Sequence, residues 1–148
     1  KSCSFWADNF NGIIVHLNQR DVSMAAVSTA PLATLDAFRK RMGWNFKWLS
    51  SYNNDFNYDY QVSFKEGDLE YNYVKHDSLP SELPGLSVFY KNEKGDVFHT
   101  YSSYARGLDM VNGAYHFLDL VPKGRDEASL SSTMAWLRRH DQYDQPKT

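Results

Sequence analysis

Cysteine is nearly missing from this chain of 148 residues, which has one, at position 3. A single thiol cannot close a disulfide within the chain. That excludes a disulfide-stapled secreted scaffold, and a reducing, cytoplasmic setting fits best. Long apolar runs are also lacking. None reaches the roughly 18 residues of a membrane span, and no charged-then-apolar leader opens the chain. Charge of neither sign dominates: 16 Lys and Arg stand against 18 Asp and Glu, for a net charge of −2. With no basic stripe, neither nucleic acid nor an anionic membrane is an expected partner. Histidines 16, 76, 99, 116 and 140 lack the spacing of zinc ligands. A Gly-rich phosphate loop and a Gly-x-Ser-x-Gly elbow are absent as well. No metal and no cofactor is expected.

Aromatic residues are plentiful, at 16%. Tyrosines gather at Tyr52–Tyr60, Tyr71–Tyr73 and Tyr90–Tyr104, where they either cover core edges or line a pocket or interface. The length suits one domain with a real core.

Apolar periodicity predicts a first helix over Phe5–Gln19, with Phe5, Trp6, Phe10, Ile13, Ile14 and Leu17 near one stripe. Val22–Ser28 reads as a buried, parallel strand. A second helix starts at Pro31, capped by Ser28 or Thr29, carries Leu32, Leu35, Phe38 and Met42, and ends at Gly43. A short strand is expected within Trp44–Ser51 and a short helix within Asn53–Val62. Lys65–Leu83 is polar, an insertion or lid with a strand at Leu69–Tyr73. Leu86–Tyr90 and Val97–Tyr101 form an antiparallel hairpin whose turn uses Gly95. Helices follow at Leu108–Leu120 and Leu130–Arg139, and the chain frays from Asp141. Helices alternating with strands, then a hairpin, imply an α/β fold with a mixed sheet.

Cys3 stands at the start of the first expected helix. Free backbone N–H groups and the positive end of the helix dipole favour a thiolate there, and the thiolate is the nucleophilic form. A lone cysteine also serves as a small buried hydrophobe. Both readings stay open at this point.

The order of elements, with a cysteine at the first helix and Pro84-Gly85 before a hairpin, resembles the thioredoxin fold. Val22–Met42, Gly43, Phe46–Ser51 and Asp55–Val62 resemble its peroxiredoxin-like branch. Six phrases are similar to the family catalogued as domain of unknown function 899. They are Cys3–Gly12, Arg41–Phe46, Asp55–Asp59, Leu83–Tyr90, Tyr104–Asp109 and Leu118–Glu127.

The resemblance implies a three-layer thioredoxin-like domain over 1–148, a mixed central sheet flanked by helices. It has an insertion at 65–83 and a helical extension at 128–148. The strand before the first helix is missing from the chain, which reads as a shortened form. The implied activity is that of a thiol–disulfide oxidoreductase or thiol peroxidase. Its partner is a small thiol, a peroxide or a protein disulfide. Cys3 is then the catalytic residue. Pro84, in cis, and Gly85 leave backbone groups free to pair with a substrate strand. Trp6 and Arg106 flank the site, Trp6 chiefly as packing and Arg106 either beside the thiolate or paired with Asp109. Asp8 is expected to be solvated. The family's motif resembles Cys-x-x-Cys, and only its second cysteine is matched. The alternative is a non-catalytic binding module that uses its aromatic surface, and self-association through an aromatic edge is compatible with it.

Overall fold

A computed structural model describes residues 1–144 as an α/β structure of short elements. The chain divides into two compact units, Asn53–Met110 and the remainder on either side of it.

The first unit begins with α1 (Ser2–Ala7) and α2 (Ile14–Asn18). The long helix expected over Phe5–Gln19 is therefore broken. Asn9 is the cause: its Nδ2 donates to the carbonyls of Phe5 (2.9 Å) and Trp6 (3.3 Å). A side-chain amide bonded to nearby backbone competes with helix continuation. Asn11 then hooks the turn elsewhere, donating to the Gly43 carbonyl (3.1 Å) and accepting from Asn45 N–H (2.9 Å).

β1 (Ala25–Ser28), α3 (Leu32–Arg41) and β2 (Lys47–Ser50) make a parallel crossover, with Ala26 opposite Trp48 and Ser28 opposite Ser50. The residue before α3 is Pro31, without a side-chain cap. Ser28 does not cap because its Oγ accepts from Trp48 Nε1 at 3.0 Å. Gly43 ends α3 at φ +64°, a conformation in which a Cβ is strained. Leu35 and Met42 of the expected stripe are buried, while Leu32 is exposed.

The core here is aromatic. Trp44 packs against Phe38 (5.6 Å between ring centres), Phe46 (5.3 Å) and Trp48 (5.5 Å), and Phe46 meets Phe10 at 5.6 Å. Phe46, only 2% exposed, gains about 1.5–3 kcal/mol from burial. The helix expected over Leu108–Leu120 is a 3-10 helix, Ala105–Val111, followed by α5 (Gly113–Leu120). Asn112 separates them because it caps α5, its Oδ1 accepting from Tyr115 N–H. The helix expected over Leu130–Arg139 is absent. Among the described residues the proposed extension holds turns and one 3-10 helix, His140–Gln142. Positions 145–148 of the expected frayed tail lie outside the described residues.

The second unit holds α4 (Phe56–Asp59), the small pair β3 (Glu70–Tyr71) and β4 (Val74–Lys75), and the hairpin β5 (Gly85–Lys91) and β6 (Val97–Tyr104). The hairpin is antiparallel, as expected, and its turn uses Gly95 at φ +91°. Among the described residues there are three two-stranded sheets, where one mixed sheet was expected. The parallel pair belongs to one unit and the hairpin to the other. Tyr71 joins the loops of this unit: its hydroxyl donates to the Pro84 carbonyl (2.7 Å) and accepts from Ala105 N–H (2.8 Å).

Gly85 is a steric requirement. A Cβ there would lie 2.6 Å from Val62 Cγ1 and 3.0 Å from Tyr104 Cε1. Gly85→Ala should lower stability by about 1–3 kcal/mol, read as a lower urea midpoint. Val62→Ala in the same chain should return part of that loss.

Candidate functional site

Cys3 lies in the first turn of α1 and is exposed. Trp6, one turn along, is half-buried and packs edge-on against Phe5 (6.0 Å) and Tyr115 (6.2 Å). Phe5 in turn meets Tyr115 at 5.3 Å and Trp136 at 5.8 Å. The helix carrying the thiol is thus seated on an aromatic cluster built from α5 and the later chain.

Glu127 organises that cluster. Its Oε1 accepts from Tyr115 Oη (2.8 Å), Trp136 Nε1 (2.7 Å) and Met134 N–H (3.0 Å). Gathering Met134 and Trp136 this way replaces the helix expected across them, and Met134 sits at φ +65°. Arg125 lies over the Tyr115 ring, 3.9 Å from its centre, and binds Asp119 through two nitrogens. Nothing in the sequence marked Glu127 among the 18 acidic residues. Its role follows from chain paths that composition does not encode.

Asp8 is a junction, where the sequence suggested a solvated carboxylate. Its Oδ1 accepts from Trp44 Nε1 (2.7 Å) and lies 2.7 Å from His140 Nδ1. Asp8 follows the end of α1 and Cys3 is near its start. Their five residues of separation amount to about 7.5 Å of helical rise, so Asp8 is not placed as the thiol's proton partner. Beside this junction, Arg41 binds Asp141 through Nε (2.8 Å) and Nη2 (3.2 Å). Fraying from Asp141 is therefore not what this residue does. The hydrogen bonds from Arg41 hold its carboxyl below the ordinary carboxylate value and raise Arg41 in return.

Pro84, Gly85 and Arg106 belong to the second unit. No peptide bond among the described residues is cis, so Pro84 is trans where the resemblance implied cis. Its carbonyl is taken by Tyr71, and Gly85 is paired with Tyr104 in the hairpin. Those backbone groups are engaged within the unit. Arg106 pairs through Nη2 with Asp109, the more ordinary of its two expected roles.

Among the described residues, no three His, Cys, Asp or Glu side chains lie close enough to hold a metal. No helix there is long and apolar enough to cross a membrane. A family model described as "Bacterial protein of unknown function (DUF899)" matches residues 1–143. The chain belongs to this family. No curated protein matches it, and no solved structure does. For a DUF899 chain, membership alone assigns no reaction, and the chemistry must be argued from its side chains.

Glu127→Ala strips the shared acceptor from the Tyr115 hydroxyl, the Trp136 indole and the Met134 amide. Denaturant unfolding should show a loss of about 2–4 kcal/mol, with Glu127→Gln losing less. The Arg41–Asp141 pair has a lowered folded-state carboxyl. Its contribution is therefore complete above the ordinary carboxylate range and is lost as pH falls through the lowered value. Asp141→Asn should remove that acid-side step from a stability–pH profile.

Proposed function

We propose that this chain is a thioredoxin-like thiol–disulfide oxidoreductase that works through Cys3. The observation that carries the reading is an exposed thiol in the first turn of a helix that its own Phe5 anchors on Tyr115 and Trp136. The parallel β1–α3–β2 crossover and the β5–β6 hairpin introduced by Pro84 support the fold assignment.

In the proposed reaction the Cys3 thiolate attacks one sulfur of a substrate disulfide. A mixed disulfide with Cys3 forms, and the other half of the substrate leaves as a thiolate. A small external thiol then attacks the substrate sulfur of the mixed disulfide, which expels Cys3 as a thiolate and releases the substrate half as a disulfide with that external thiol. An external thiol is required because the chain holds one cysteine. Against a peroxide, the same thiolate takes the distal oxygen to become a sulfenic acid, and water or an alcohol leaves. Two equivalents of thiol restore it.

A second reading is favoured by a separate observation. Tyr90, Val97 and Phe98 on the hairpin are exposed, as is Tyr73. A binding module that uses these side chains would need no reaction at Cys3.

The two readings part on a single assay. Cys3→Ser should abolish turnover of a small disulfide with glutathione as the reducing thiol. A chain that turns over neither disulfide nor peroxide sinks the redox reading and leaves the binding module.

A further inference from the structure

The register of the hairpin in the second unit sorts its side chains onto two faces. Residues opposite one another on paired strands point the same way, and successive residues alternate. Phe89 with His99, Ser87 with Ser102 and Gly85 with Tyr104 make one face. Tyr60 covers it: its ring meets Phe89 at 5.4 Å and His99 at 5.5 Å, and its carbonyl accepts from Tyr104 Oη at 3.2 Å. Tyr90 with Phe98 and Val88 with Tyr101 make the other face. All four of these side chains are between 43% and 58% exposed. Tyr101 reaches only as far as Met110, hydroxyl to sulfur 3.7 Å, and Met110 is itself exposed. A two-stranded ribbon with one bare apolar face is marginal by itself.

Charge and size decide what fits such a face. β6 carries no Asp, Glu, Lys or Arg, and β5 carries none before Lys91. The face therefore offers no ion pair to a charged partner. The charges of the hairpin lie at its tip, where Lys91 and Lys94 are matched by Glu93 and Asp96. A second hairpin of the same sequence meets no repulsion there. Three half-exposed aromatic rings with Val88 and Met110 present about 400–500 Å² of apolar surface. Two copies face to face remove about 800–1,000 Å², the small end of specific interfaces and the size of a reversible contact.

We propose that this chain pairs with a second copy of itself through the Val88, Tyr90, Phe98 and Tyr101 face of the hairpin. The two ribbons stack as aligned sheets do, about 10 Å apart. A two-fold axis in the interface, running across the strands, sets Tyr90 and Phe98 of one copy on Val88 and Tyr101 of the other. The pairing is independent of reaction at Cys3, so either can fail without the other.

Sedimentation velocity of the intact chain is the test, with a reductant present so that Cys3 does not link copies. Monomer and dimer should exchange with a Kd of about 1–100 μM. Growth should stop at two, because a two-fold contact uses up the face. Phe98→Asp should weaken the pair by at least about tenfold. Val97→Asp is the control: Val97 is also exposed and stands one position earlier, but it opposes Lys91 on the other face. That variant should leave the Kd unmoved. Amide spectra report whether each hairpin is intact, and Tyr90→Lys replaces Phe98→Asp if the latter does not fold. The proposal is overturned if the chain stays monomeric at millimolar concentration, if assembly grows past two, or if Val97→Asp disrupts the pair as much as Phe98→Asp does.

Discussion

The hydrogen bond from Trp44 Nε1 to Asp8 is the constraint on which the first unit turns. Trp44 is buried among Phe38, Phe46 and Trp48, and an indole in such a place needs an acceptor for its one N–H. Asp8 supplies it from the end of α1. One bond therefore fixes the helix that carries Cys3 against the loop between α3 and β2. The same oxygen meets His140, so the later chain is registered on that point too. Ala7 and Phe10 in the same core and the Asn11 bonds to Gly43 and Asn45 reinforce that join.

Both units solve one problem in the same manner. Their sheets are small, and much of the backbone runs in turns whose polar groups the ladders do not satisfy. A single side chain collects several of these segments. Glu127 does so in the first unit with one carboxylate oxygen, and Tyr71 does so in the second with one hydroxyl that both donates and accepts. Charge-assisted bonds to a carboxylate are stronger than neutral ones. That fits Glu127 to the heavier task of holding two loop segments and the base of α5.

Local patterns in the sequence mapped well onto elements that local forces decide. β1, α3, β2 and the hairpin lie where alternation, Pro31, Gly43 and Gly95 placed them. The failures have a common cause, which is polar side chains taking hydrogen bonds that apolar periodicity does not register. Asn9 and Asn11 break a helix whose apolar stripe is intact, and Asn112 divides another. Glu127 pulls Met134 and Trp136 out of a helix that their spacing allows. At the candidate site, the packing of Trp6 and the ion pair of Arg106 were legible, while the exposure of Cys3 was left open. The engagement of the Pro84 carbonyl by Tyr71 was not, because it depends on how residues 13 positions apart meet.

The hairpin contains one irregularity, between Val88 and Phe89 on β5. Val88 faces Tyr101 and Phe89 faces His99, so Thr100 is left without an opposite number, and its hydroxyl bonds the Val88 carbonyl at 3.2 Å. A bulge of this kind bends the strand and tightens its twist. The ribbon also exposes Tyr90, Val97 and Phe98, a composition that invites edge-to-edge association of chains. A flat edge would act as a template for such growth. Thr100 interrupts that template midway along β6, so the extra residue works against strand-by-strand growth at this edge.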